Sequence, residues 1–207
     1  MKIVDGQDLR QLAEVRKEIY DMTSELMRDA ILSGGSRLGQ CPRPIQAIAS
    51  MMGSYVCRAP EQLLHGNHGL CTATTILIPD TDGRHWVQRF TIAHELGHQQ
   101  LGASALEWEC DAFAGSILIP LDDVHRELEH RHLNQAATLS RWAYYETGIG
   151  LITHLVRRYG VGYNAMIRAL ADYGWVIGVD PWTSVVHRDR LYEEYEHYYR
   201  QGLKGSL

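Results

Sequence analysis

The sequence predicts an α+β fold: a small twisted sheet or hairpin packed on one central helix, with extra helices at both ends. Three observations carry this expectation. Residues 8–32 hold an apolar stripe at alternating three- and four-residue steps (Leu12, Val15, Ile19, Met22, Leu26), which is one face of a helix. Residues 73–78 and 84–90 read as two strands around the turn residues Pro79-Asp80-Thr81-Asp82-Gly83. A helical segment with an apolar side (Ile92, Ala93, Leu96, Leu101) follows at once.

The elements follow in order. Ser33-Gly34-Gly35-Ser36 stops the first helix, because adjacent glycines are poor helix formers. Residues 45–52 read as a short helix ending at Gly53, residues 54–58 as a strand, and Pro60 as the first position of a helical turn. Gly66-Asn67-His68-Gly69 is a loop, and His65 and His68 beside it are read as solvated. Past the central helix, residues 122–132 read as a charged helix with outward-facing His125, His130 and His132. Leu151, Ile152, Leu155 and Val156 form one stripe and Ala165, Met166, Ala169 and Leu170 another, on either side of Tyr159-Gly160-Val161-Gly162. Such a pair is compatible with a helix-turn-helix, and Arg157, Arg158 and Arg168 make it locally basic; two packed helices completing the domain are the favoured reading. A short strand pair around Pro181 and a terminal helix over residues 189–200 close the chain.

Composition limits the functions. The chain has 207 residues, 45 % of them apolar and 22 % charged, which suits a globular protein and excludes a disordered chain, a collagen-like chain and a coiled-coil rod. No apolar run approaches the ~20 residues that span a bilayer, and the first residues do not resemble a signal peptide. A cytoplasmic protein without a membrane partner is expected. A net charge of −5 argues against a mainly electrostatic nucleic-acid binder. The four cysteines (Cys41, Cys57, Cys71, Cys110) form no CxxC pair and are read as reduced thiols. The 11 histidines are unusual, and their spacing gives them meaning.

Two of them stand in His94-Glu95-Leu96-Gly97-His98, the pattern His-Glu-x-x-His. On a helix, side chains four residues apart lie nearly above one another, so His94 and His98 can face one cation. Glu95 lies to the side of that pair, where it can take a proton from a metal-bound water, as in a zinc hydrolase. A catalytic zinc usually has three protein ligands and one open position. The extended form with a third histidine six residues on is excluded, because that position is Ser104. The alternative is a carboxylate on a following helix, and Glu107-Trp108-Glu109-Cys110-Asp111 offers one. Glu107 and Asp111 share a face, so Glu107 can bind the metal while Asp111 orients a ligand histidine through its free ring N–H. Glu109 and Cys110 are the rivals for third ligand, with Cys110 more readily a small buried residue.

Residues 89–98, together with residues 107–114 running through Ile117-Leu118-Ile119-Pro120, resemble the ImmA/IrrE family of metallopeptidases. The chain departs from the family pattern at Cys110, usually Ala, and at Ile119, usually Met, and neither change removes a candidate ligand. Pro44-Ile45 leading into Ile48-Ala49 is similar to the family's entry helix. The resemblance is strong over residues 44–120, weak over 121–180 and absent over 1–40. It implies a zincin-like fold and a zinc-dependent endopeptidase, with His94, His98 and Glu107 as ligands of Zn2+ and Glu95 as catalytic base. It also implies a protein substrate, a helix-turn-helix repressor of the XRE type, and hence a role in transcription regulation. On this reading residues 1–40 form an N-terminal helical extension, 41–125 the metallopeptidase core and 126–207 a helical C-terminal region. A DNA- or repressor-binding regulator that retains a structural metal site is the alternative. On the peptidase reading the edge of the hairpin before the central helix is expected to present itself to an extended peptide substrate.

Overall fold

The computed structural model describes residues 6–35, 39–80, 85–102, 104–131, 137–138, 148–173 and 175–177. The architecture is α+β, with a three-stranded mixed sheet against a set of helices. Helix α1 (Gly6–Gly34) and the short α2 (Ile45–Met51) precede strand β1 (Tyr55–Ala59). A 3-10 turn (Glu61–Leu64) leads to β2 (Leu70–Cys71) and β3 (Thr75–Pro79). Helices α3 (His85–Leu101), α4 (Glu107–Leu118) and α5 (Leu121–His130) follow, then α6 (Gly148–Tyr159) and α7 (Tyr163–Asp172). Strands β4 (Ala137–Thr138) and β5 (Val176–Ile177) pair in parallel with each other.

The sheet order is β1-β3-β2. β1 runs parallel to β3, with Tyr55 opposite Thr75 and Ala59 opposite Pro79, and β2 runs antiparallel to β3, with Leu70 opposite Leu77. Ile76 and Ile78 point inward and are buried, while Thr75, Leu77 and Pro79 are half-exposed, the alternation of a strand with one face on a core.

The hairpin expected over residues 73–90 is not formed. Its first strand is β3, but residues 85–90 are the opening turns of α3, and Arg84 lies outside the described residues. Seven residues are too few to separate the two periods. Trp86 and Phe90, four apart, share a helix face and pack against the core, and Arg89 between them is buried. The antiparallel partner of β3 is the two-residue β2, and the other side of β3 is taken by β1. The expected strand pair around Pro181 also differs: Val176–Ile177 pairs with Ala137–Thr138, and Pro181 lies outside the described residues, as do the expected helix over 189–200 and His132. His65, His68, His125 and His130 are exposed.

One hydrophobic cluster gathers side chains from α1 to α7: Met27, Ile48, Ile76, Leu96, Phe113, Val124, Leu155 and Met166 all belong to it. In α1 the buried line is Ile19, Thr23, Met27 and Ala30. Thr23 is polar, and its hydroxyl accepts a hydrogen bond of 2.7 Å from the buried Ser116 hydroxyl of α4. Helices α3 and α4 approach closely at Gly97, where a Cβ would lie 3.0 Å from Cys110 Cα. Buried Arg89 ties the start of α3 to two distant segments: it donates to the carbonyls of Arg43 at 2.8 Å, Gly160 at 2.9 Å and Tyr159 at 3.3 Å. No helix among the described residues is long and apolar enough to cross a membrane.

Candidate active site

The contact of α3 with α4 brings the sequence-predicted residues together. His94 and His98 stand one turn apart on α3, their rings 5.0 Å apart and close to perpendicular. Glu107 opens α4 and Asp111 follows one turn later. The Glu107 carboxylate spans both histidines, with Oε2 3.1 Å from His94 Nε2 and Oε1 3.5 Å from His98 Nε2. His94 donates its Nδ1–H to Asp111 Oδ1 at 3.0 Å, which fixes the ring and turns Nε2 toward Glu107. Burial works to lower the pKa of His94, but the hydrogen bond and charge of Asp111, with Glu95 and Glu107, outweigh it and leave the pKa raised.

The Nε2 atoms of the two histidines thus each face one oxygen of the same carboxylate. The Glu107 side chain is 81 % exposed, so the site is open to solvent on one side. This donor set, with an open side for water or substrate, is one that a catalytic zinc accepts. Cys110 is also close, since its Sγ lies with one nitrogen of each histidine in a group whose atoms are all within 4.8 Å of one another. Burial first, then the carboxylates of Glu107, Asp111 and Glu109, push that thiol up to about 12, so without a cation it stays protonated at neutral pH. Glu109 serves elsewhere: its Oε2 accepts the Leu106 backbone N–H at 2.7 Å and caps the start of α4.

Glu95 is 8 % exposed and lies under the chain that leads into β2. A Cβ on Gly69 would stand 2.8 Å from Glu95 Oε1 and 2.5 Å from Thr91 Cγ2, so only glycine lets the backbone pass there. Cys71 of β2 lies beside Glu95, and burial together with that carboxylate pushes its thiol up to about 11. One turn further along the same face of α3, Gln99 donates to the Thr72 carbonyl at 2.6 Å and accepts from the Ser54 hydroxyl at 2.6 Å. The helix that carries the histidines thus holds the turn between β2 and β3 in place.

Three of these neighbours were not found from the sequence. Gly69 was read only as part of a loop, and Cys71 as an ordinary thiol. Arg168 of α7 donates to Asp111 Oδ2 at 2.9 Å across 57 residues of chain, and nothing in its local sequence marks it for that contact.

Comparison with curated proteins and with solved structures gave no match. A family model described as IrrE N-terminal-like domain, Peptidase_M78, matches residues 56–171, a span that runs from β1 to α7 and contains His94, Glu95, His98, Glu107, Asp111 and Arg168. The match covers more than half of the chain, which therefore belongs to this family of metallopeptidases.

Proposed function

We propose that the protein is a zinc-dependent endopeptidase whose target is a protein, a helix-turn-helix repressor of the XRE type, and that it acts in the cytoplasm. The observation that supports the chemistry most directly is the Glu107 carboxylate set across the Nε2 atoms of His94 and His98. His94, His98 and Glu107 would hold the ion, and Asp111 keeps His94 in the tautomer that leaves Nε2 free to bind. A zinc ion bound there lowers the pKa of water and polarises a carbonyl. Glu95 is the general base: it removes a proton from the attacking water and returns it to the amine that leaves when the C–N bond breaks. Its burial under the close-passing backbone at Gly69 confines the carboxylate beside the histidine pair. β2 forms the edge of the sheet on the Glu95 side, and an extended peptide can align along that edge by backbone hydrogen bonds. This suits a target cut in an unfolded linker; the target class itself rests on the family.

The test is Glu95→Gln. The variant is expected to bind one zinc per chain like the wild type and to lose cleavage of a co-expressed repressor by at least a hundredfold. A regulator that only binds its partner, with the metal as a structural element, would be indifferent to the change. Wild-type cleavage by Glu95→Gln would overturn the assigned base.

A further inference from the structure

A cavity of about 200 Å3 lies between α1, α4 and α7, and Glu107 and Asp111 form part of its wall, so it opens beside the candidate metal centre. Phe90 and Trp108 give it aromatic sides. Gly115, inside α4, lies on its lining. Glycine is the poorest helix former after proline, and inside a helix it usually marks a close approach of another backbone. Gly97 is such a case, facing Cys110. Gly115 is the opposite: a Cβ placed on it would meet no described atom within 4 Å. Here the missing side chain leaves empty space, and that space is the cavity.

The charges on the lining decide what can enter. Arg168 is bound to Asp111 and Arg16 to Asp172, each at 2.9 Å, and Asp111 also holds His94. Glu107 faces the two histidines. Two guanidinium groups line the cavity, and each of its carboxylates already has a partner. An incoming lysine or arginine would find no free acid there, whereas a large apolar side chain would meet aromatic walls.

We propose that this cavity is a specificity subsite that takes a bulky apolar or aromatic side chain next to the scissile bond and refuses Lys and Arg. The proposal rests on the endopeptidase reading, so its test has an arm without catalysis. In that arm, ligand-observed NMR follows N-acetylphenylalaninamide and N-acetyllysinamide with the metal-free full chain. The phenylalanine probe is expected to bind wild type and Glu95→Gln, and to lose binding at least tenfold in Gly115→Leu; the lysine probe is expected to bind none of them. In the second arm, zinc-loaded protein cuts a mixture of random dodecapeptides, and mass spectrometry reads the residues flanking each cut. Wild type is expected to prefer Phe, Tyr, Trp, Leu or Met at one flanking position by at least tenfold over Ala, and Gly115→Leu to lose that preference. Circular dichroism checks the fold, and Ala165→Leu on the facing wall replaces Gly115→Leu if the latter does not fold. Equal probe binding, or an unchanged cleavage preference, in a folded cavity-filling variant overturns the subsite. Probe binding that the variant abolishes, with no peptide cut by wild type, supports the cavity's chemistry and overturns the endopeptidase reading instead.

Discussion

Both oxygens of the Asp111 carboxylate are engaged, Oδ1 by His94 and Oδ2 by Arg168. On the proposed reading Asp111 holds a ligand rather than binding the metal itself, and Asp111→Asn separates the two. An amide at that position can no longer accept from both partners as an anion, so the His94 ring loses its fixed tautomer. Zinc affinity is expected to fall about 10- to 100-fold, measured by competition with a chromophoric chelator, while the unfolding transition stays cooperative. Much of this arrangement was legible from residue spacing. His94, Glu95 and His98 lie within one turn and a half of helix, and Glu107 and Asp111 begin the very next helix, so local geometry decides where they point. The choice of Glu107 over Glu109 followed from the face it shares with Asp111. Gly69, Cys71 and Arg168 were not legible, because they reach the site through loop and helix packing across long stretches of chain.

At the scale of elements, helices with long apolar stripes were read correctly, and the start of α3 was not. Residues 84–90 alternate well enough to pass for a strand, with Trp86 and Gln88 set against His85 and Val87. In the folded protein Arg89 is among the buried polar groups, and three backbone carbonyls accept from it. Those acceptors come from the segment before α2 and from the end of α6 and the turn that follows it, and no local pattern announces them. The contact also predicts a stability effect. Arg89→Met keeps the apolar stem and leaves the carbonyls of Arg43, Tyr159 and Gly160 without that donor. It is expected to lower unfolding stability by about 2–4 kcal/mol, read from the urea midpoint at unchanged slope.

For the whole molecule, the α+β class was legible because the apolar periods of helix and strand occur in separate stretches. The sheet's parallel pairing was not, because β1 and β3 are joined across a 3-10 turn and β2, and sequence does not give strand order. The later helices are fastened to the rest by charge as well as by the core. Asp123 of α5 accepts from Tyr159 at 2.9 Å and from Arg158 at 3.1 Å, both on α6. Burial would raise its pKa, but those hydrogen bonds and the Arg158 charge outweigh it and hold the carboxyl below its ordinary value. A group depressed in the folded state stabilises the fold above its unfolded pKa of ~4, and that contribution is lost as pH falls through the folded value. Asp123→Asn is therefore expected to melt below wild type at pH 7, with the gap narrowing steadily as the pH drops below about 4. Paired thermal melts across that range measure it, and a gap independent of pH would show that the carboxylate's charge is not what matters.

The hydrogen bond from Arg168 to Asp111 also bears on when the protein becomes active. Synthesis runs from the N-terminus, so His94, Glu95, His98 and Glu107 are all made well before the helix that supplies Arg168. Until α7 docks, Asp111 lacks one of its two partners and one wall of the neighbouring cavity is missing. A growing chain thus carries the complete metal-binding motif without a finished site. On the proposed reading, the site is finished only when α7 docks, and α7 is made after every residue that would hold the metal.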